Sequence, residues 1–244
     1  DQIAVKIESL GGNISVIGGN NSLTLNSEFL SNDFNQAFDI VSDVIMDPIF
    51  PRSAVNREKE TLLLDIEEER ESPLSLAAIF ARENIFGNHP HRYSRLGTVD
   101  DIKESDSEKL LNFYSEYGVS NNGVITLCGA IDSNKVINKI EDCLSNIKTG
   151  EAMNTNFEDP QWPLKEKEVE IKHHKEQAVV MIAFPGLSIN SDERATISVI
   201  EEIAGGMDGL LFARIREELG LAYYVGMSQM VGYSSGSILF YAGT

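Results

Sequence analysis

Three carboxylates lie on one side of a helix that the sequence predicts from Arg57 to Glu71. At about 100° per residue, Glu58 and Asp65 fall on nearly the same line, and Glu69 follows one turn beyond Asp65. Carboxylate oxygens in such a row are able to bind a metal ion, although most acidic helix faces are simply solvated surface. The row is therefore a candidate metal site that needs ligands from elsewhere.

Two histidines one residue apart, His89 and His91, provide another common type of metal ligand. They lie in a polar loop that is predicted from Gly87 to Tyr93. Loop histidines with polar neighbours are also common as hydrogen-bonded structural groups. A metal-binding role and a structural role both remain open for this pair.

The composition limits the partners that the chain is able to bind. Its 244 residues are 42% hydrophobic, which is enough for a real core in one large domain or two ordinary ones. The net charge of −18 argues against sequence-independent binding to nucleic acid or to an anionic membrane, because both require a positive field. Without an apolar run of about 18 residues, no membrane span is predicted. We expect a soluble protein of the cytoplasm or the periplasm.

Cys128 and Cys143 are the two cysteines of the chain. They are too few for a disulfide framework. Each lies among apolar residues, Cys128 in a predicted strand and Cys143 in a predicted helix, so we expect two buried free thiols.

The elements around the carboxylate helix are read from hydrophobic periodicity and turn residues. A predicted helix over Gln2 to Leu10 ends at a glycine pair, and alternation on either side of Gly18 to Asn21 predicts a β-hairpin. A further helix is predicted to begin at Asp33. The remaining predictions of this half are helices over Leu74 to Phe86, Asp106 to Tyr117 and Ser133 to Leu144, and a buried strand over Asn122 to Ala130.

A polar stretch rich in glycine, asparagine and proline then interrupts the pattern and predicts a domain boundary. We predict a domain over residues 1–150, a linker over 151–166 and the first part of a second, related domain over 167–244. Beyond the linker, strands are predicted at Val169 to Ile171, Gln177 to Phe184, Ala222 to Met230 and Gly236 to Tyr241, and helices at Ser191 to Ala204 and Leu210 to Glu218. The expected fold class is α+β.

Several ordered stretches carry a resemblance that covers nearly the whole chain. They are Ile7 to Gly12, Pro48 to Phe50, Arg57 to Ile66, His89-Pro90 with Leu96 to Thr98, Asn121 to Gly129, and Arg216 to Tyr223. In their order and spacing, they resemble the pitrilysin/insulinase family of zinc metallopeptidases, which includes the mitochondrial processing peptidases.

The resemblance implies two related α+β domains of the processing-peptidase type, each an antiparallel-rich sheet packed with helices. It also implies that such domains face each other in pairs around a chamber for unfolded peptides. Measured against that pattern, the first domain is expected to lack its opening strand and helix, and the second its closing helices. The implied partners are a peptide or unfolded protein substrate and a second metallopeptidase-like half or subunit.

The family binds zinc through two histidines of a His-x-x-Glu-His motif and a glutamate on a later helix, and this chain departs from that pattern. The chain contains no His-x-x-Glu-His sequence. The position of the family's ligand glutamate is taken by Asp65, which is one methylene shorter, and Glu58 corresponds to a carboxylate that supports the ligand. We therefore expect zinc to be the cofactor of the family, but expect none to bind to this chain alone.

Arg216 and Tyr223 match the arginine and tyrosine that in the family contact the substrate main chain and the developing oxyanion. A guanidinium and a phenol are suitable donors to a carbonyl oxygen. Alternatively, Arg216 pairs with Glu201 or Glu217, and Tyr223 is an aromatic residue on the face of a strand.

Two functions follow from the resemblance. The chain is part of a zinc-dependent metalloendopeptidase that encloses and cleaves peptides, or it is a non-catalytic, substrate-binding half or subunit that supplies Arg216 and Tyr223 to a catalytic partner. In both cases the chain alone is expected to be inactive.

Overall fold

The structure, a computed structural model, describes residues 2–154 and 158–244. The helices are α1 (Gln2–Ser9), α2 (Phe34–Met46), α3 (Arg52–Glu71), α4 (Pro73–Phe86), α5 (Val99–Glu104), α6 (Ser107–Tyr117), α7 (Ser133–Leu144), α8 (Arg194–Gly205) and a π-helix (Phe212–Glu218). The strands are β1 (Asn13–Gly18), β2 (Leu23–Glu28), β3 (Val179–Gly186), β4 (Tyr224–Val231) and β5 (Gly236–Gly243). Helices and antiparallel sheets together confirm the predicted α+β class.

The described residues pack into two compact units that are not contiguous in sequence. One unit combines the residues up to Glu60 with Lys103–Asn154. The other combines Thr61–Ile102 with the described residues from 158 to Thr244. The division into domains over 1–150 and 167–244 is a different partition and stays a prediction.

The first unit contains the predicted hairpin and the helices that follow it. Strands β1 and β2 pair antiparallel from Asn13 opposite Glu28 to Gly18 opposite Leu23. Gly12 must be glycine here, because an added Cβ would lie 2.6 Å from the backbone oxygen of Glu28. This close approach of Gly12 to the end of β2 lets the chain pass directly from α1 into the hairpin.

Helix α2 buries one apolar face in the core of the first unit. Ala37, Phe38 and Val41 lie on that face at helical spacing and are buried. Helix α2 packs against α1 and α7. The hydroxyl of Tyr114 in α6 also donates to the backbone oxygen of Ile45 at 2.7 Å, which joins α6 to the end of α2.

Two predictions about the first unit are wrong. Residues 123–128 form no strand, and Val124 is 93% exposed, because no described strand lies alongside to accept and donate the backbone hydrogen bonds. Cys128 is consequently exposed, and Cys143 is half-buried with its sulfur 3.6 Å from Asp39 Oδ1, so neither thiol is buried as expected.

The second unit is built on a three-stranded antiparallel sheet in the order β3, β5, β4. The register places Val179 of β3 and Tyr224 of β4 on either side of Gly243 in β5. Helix α4 packs against β3, and α8 packs against β4. The strand predicted at Val169 to Ile171 is absent, since this short segment with charged neighbours has no described strand as a partner.

Local signals explain where α3 and α4 end and begin. Ser72 caps α4, with its hydroxyl accepting from the N–H of Ser75 at 3.3 Å, and Pro73 occupies the first helical position. Helix α3 begins at Arg52, earlier than predicted, because Pro51 ends the preceding turn and offers its carbonyl to the N–H of Val55 at 2.9 Å.

No helix of the described residues has the length and apolar character needed to cross a membrane.

Candidate functional site

Arg216 lies in the π-helix, a rare form that occurs often at functional sites. The helix ends at Glu218, and two residues later Gly220 has a φ of 62°, in the left-handed region that favours glycine. Beyond it the N–H of Leu221 donates back to the carbonyl of Ile215 at 3.0 Å. This tight ending returns the chain toward the sheet within a few residues.

Tyr223 lies after that turn and immediately before β4. Its backbone N–H donates to the carbonyl of Gly243 at 2.7 Å, which fixes its main chain to the end of β5. Its side chain remains 72% exposed. The tyrosine is thus held by its backbone, while most of the residue is accessible to solvent.

The structure brings the predicted pair together. The guanidinium carbon of Arg216 lies 5.2 Å from the centre of the Tyr223 ring and 4.7 Å from the centre of the Phe212 ring. Both distances are within the range of a cation–π contact. A phenol and a guanidinium, two strong hydrogen-bond donors, therefore share one small surface.

The alternative pairing of Arg216 with a nearby carboxylate is not what the described residues show. Glu201 accepts from Nε2 of Gln229 at 2.7 Å, and the neighbouring Arg214 pairs with Glu218. Arg216 itself makes no ion pair or hydrogen bond with its side chain in the described part of the chain. Its donors are available to a ligand.

The candidate metal residues Asp65 and Glu58 are both exposed. Asp65 borders an open cavity of about 330 Å³, whose other lining residues are Glu68, Glu69, Ser72 and Ser75. Glu69 accepts a hydrogen bond from the hydroxyl of Ser94 at 3.4 Å. Glu58 contacts its sequence neighbour Arg57 at 3.5 Å.

These residues do not fit a zinc ion. The cavity beside Asp65 is lined by carboxylates and hydroxyls without an imidazole or thiolate, a donor set that prefers calcium or magnesium. No group of three or more His, Cys, Asp or Glu side chains with metal-binding geometry occurs among residues 2–154 and 158–244. Any zinc site of the protein would need further ligands.

His89 and His91 are both buried, and the ring of His89 forms hydrogen bonds. Nδ1 of His89 accepts from the backbone N–H of His91 at 3.2 Å, and Nε2 of His89 is 3.4 Å from the hydroxyl of Ser234. The two rings lie 4.5 Å apart, and both pack against Phe86. The geometry supports the structural role rather than the metal-binding role.

Sequence reasoning missed Phe212, whose ring contacts the guanidinium of Arg216. The signal was available, since Phe212 and Arg216 are four residues apart in a predicted helix and residues at that spacing are neighbours.

Comparisons with known proteins match this arrangement over nearly the whole chain. A family model described as "Insulinase (Peptidase family M16)" matches residues 1–99, and one described as "Peptidase M16 inactive domain" matches residues 106–244. The crystal structure of a peptidase M16 inactive domain from Pseudomonas fluorescens has the same fold, with a TM-score of 0.88 and 23% identity, and the match covers 99% of this chain and 59% of that one.

Two curated relatives differ in what their names say. An uncharacterized zinc protease of Rickettsia bellii is 27% identical over 245 residues, which cover 100% of this chain and 58% of that protein. A protein of Helicobacter pylori named "Non-peptidase homolog YmxG" is 22% identical over 238 residues, which cover 94% of this chain and 54% of that protein. The chain thus spans somewhat more than half the length of these relatives. It belongs to the M16 peptidase family, the insulinase family, as the sequence resemblance predicted.

Proposed function

We propose that this chain is a substrate-binding part of an M16-family protein and supplies Arg216 and Tyr223 to a catalytic half or subunit that carries the zinc. The observation that carries the proposal is the pair of adjacent, exposed donors, with no competing partner on Arg216 among the described residues. An extended peptide offers carbonyl oxygens that a guanidinium and a phenol are able to bind. The substrate class is therefore unfolded or extended polypeptide.

The surroundings of Asp65 also support a non-catalytic role. Zinc hydrolysis requires three protein ligands and an open position, and the described residues offer only oxygen donors at this point. The name of the Helicobacter relative is consistent with such a role, since it describes that protein as a non-peptidase homolog.

A catalytic role is the second candidate. Asp65 is exposed beside an open cavity, so its carboxylate is accessible to a metal whose other ligands come from elsewhere. In that case the full-length protein itself cleaves peptides, with Arg216 and Tyr223 binding the substrate. In both candidate functions, Arg216 and Tyr223 bind the peptide substrate.

Zinc content and peptidase activity of the full-length protein distinguish the two candidates. We would measure both, alone and with a homologue that contains His-x-x-Glu-His, using fluorescein-labelled casein as the unfolded substrate. The proposal predicts no stoichiometric zinc and cleavage only in the presence of the homologue. Stoichiometric zinc together with chelator-sensitive cleavage by the protein alone would make it the catalytic half.

The role of the donor pair is tested by substitution in the same system. Arg216→Met is expected to weaken casein binding about tenfold or more, because a charge-assisted hydrogen bond is lost. Tyr223→Phe is expected to lower the turnover by about a hundredfold if the phenol stabilises developing charge.

The matched controls are Arg214→Met, which removes an arginine of the same helix that is paired with Glu218, and Tyr233→Phe, which alters another exposed tyrosine. Both controls should leave binding and turnover unchanged. If Arg216→Met and Tyr223→Phe are as active as these controls, the proposed substrate contact is wrong.

A further inference from the structure

The side chain of Phe212 has one described aromatic or charged partner, the guanidinium of Arg216. The guanidinium carbon lies over the Phe212 ring at 4.7 Å from its centre. No other aromatic ring is paired with Phe212 within residues 2–154 and 158–244. The ring is half-buried in the π-helix and is therefore a fixed surface next to a long, flexible side chain.

Arg216 thus contacts two aromatic rings, one from its own helix and one from the residue that precedes β4. The Tyr223 ring lies 5.2 Å from the guanidinium carbon. In a cation–π contact the guanidinium lies against the face of the ring. Its N–H groups can still donate hydrogen bonds, because they lie in the plane of the guanidinium. The aromatic contacts therefore restrict the side chain and leave its hydrogen-bond donors free.

Without this restriction, carboxylates near Arg216 in the same helix would compete for its guanidinium. The π-helix also contains Glu217 and Glu218, and Arg214 is already drawn into an ion pair with Glu218. An unrestrained arginine in the same helix is free to turn toward such a carboxylate. A guanidinium that is held over two rings is kept for an external acceptor.

We propose that Phe212 is a positioning residue, which holds the Arg216 guanidinium beside the Tyr223 phenol so that both donors meet the main chain of an extended peptide together. This inference rests on the proposed function of Arg216 and Tyr223. It adds a residue that does not itself donate to the peptide. Its effect is transmitted entirely through Arg216.

A double-mutant cycle in the full-length protein tests whether Phe212 affects peptide binding through Arg216. Phe212→Leu keeps an apolar side chain but removes the ring, and it should weaken binding of fluorescein-labelled casein about two- to fivefold. Phe212→Tyr retains a ring face and should bind casein as the unsubstituted protein does. In an Arg216→Met background, Phe212→Leu should have no additional effect.

An equal loss of affinity in both backgrounds would overturn the proposal, because it would mean that Phe212 acts through packing alone. A loss in Phe212→Tyr equal to that in Phe212→Leu would also overturn it. Circular dichroism and urea unfolding identify variants that fail to fold. If Phe212→Leu fails to fold, Phe212→Met replaces it in the cycle.

A second measurement does not depend on any ligand. The Nε–Hε order parameter of Arg216, measured by NMR, should fall in Phe212→Leu and be retained in Phe212→Tyr, while that of Arg214 is unchanged. An unchanged order parameter for Arg216 would overturn the positioning role. If the order parameter falls but Arg216→Met binds casein normally, the proposed function fails and the positioning contact stands.

Discussion

At the scale of single residues, the buried histidine pair has the clearest chemical consequence. Burial lowers the pKa of both His89 and His91, and the proximity of His89 lowers that of His91 further. Asp159 acts in the opposite direction on His89. Nε2 of His91 is also buried without a hydrogen-bond partner among the described residues, so a proton added there would be poorly solvated.

We expect the stability of the protein to fall as the pH is lowered below about 6.5, the usual histidine pKa in an unfolded chain. In this range the unfolded state binds more protons than the folded state, so acid favours unfolding. The measurement is urea unfolding between pH 7.5 and 5, an interval chosen around that value.

The variant His89→Asn/His91→Phe should have a weaker pH dependence over the same interval. His174→Gln, at an exposed position, is the matched control and should retain the pH dependence of the unsubstituted protein. If the double variant loses stability with acid as steeply as this control, the pair is not the source of the effect.

At the scale of elements, Lys59 shows why the stretch from Arg57 to Lys59 matters to the fold. Its ammonium group donates to the backbone oxygen of Lys103 at 2.9 Å and to that of Ser105 at 2.7 Å. Lys103 lies in the last turn of α5 and Ser105 in the connection that follows, where carbonyl groups lack partners within the helix. The lysine therefore joins α3 to this connection.

Lys59→Met should lower the free energy of unfolding by about 1–3 kcal/mol, because two hydrogen bonds from a charged donor are lost. Urea unfolding measures the change. Lys109→Met is the matched control, since Lys109 forms an exposed ion pair with Glu104 at 3.6 Å that should contribute less than about 1 kcal/mol. Equal effects of the two substitutions would contradict the role assigned to Lys59.

The turn between the π-helix and β4 depends on Gly220. A Cβ added there would meet no atom within 4 Å, so the cost of a substitution lies in the left-handed backbone alone. Gly220→Ala should lower the free energy of unfolding by about 1–2 kcal/mol, which urea unfolding detects.

The comparison for Gly220→Ala is Gly18→Ala, where the added Cβ also meets nothing and φ is not in the left-handed region. That substitution should change the stability by no more than about 0.5 kcal/mol. A destabilisation by Gly18→Ala as large as that by Gly220→Ala would remove the argument from backbone conformation.

At the scale of the whole molecule, the second unit exposes an apolar sheet face. Val180, Ile182 and Phe184 alternate along β3 and point to the same side of the sheet, and their exposures are 65%, 52% and 48%. Contiguous apolar surface of this kind favours association. It lies on β3, at one edge of the sheet.

We therefore expect the 244-residue chain, prepared by itself, to self-associate reversibly. Sedimentation velocity over a concentration series should show this, and Ile182→Lys should shift the distribution toward monomer by placing a charge on the face. Leu164→Lys, at a fully exposed loop position, is the matched control and should not change the distribution. A monomer at all concentrations would contradict the expectation.

The sequence by itself determined the family, the fold class and most of the helices and strands. Helix α2 and the β1–β2 hairpin follow from local signals, since apolar spacing and turn residues specify each of them. It also identified Arg216 and Tyr223 as a pair, through the family resemblance of the Arg216 to Tyr223 stretch.

Only the tertiary structure decided which of these residues meet and which extended segments become strands. Residues 123–128 and Val169 to Ile171 have strand-like sequences, but strand formation requires a neighbour that local sequence does not specify. Local sequence also does not specify which residues of the Arg216 site contact each other. The contact of Phe212 and Tyr223 with one guanidinium depends on a π-helix and a left-handed glycine turn that bring separate parts of the chain together.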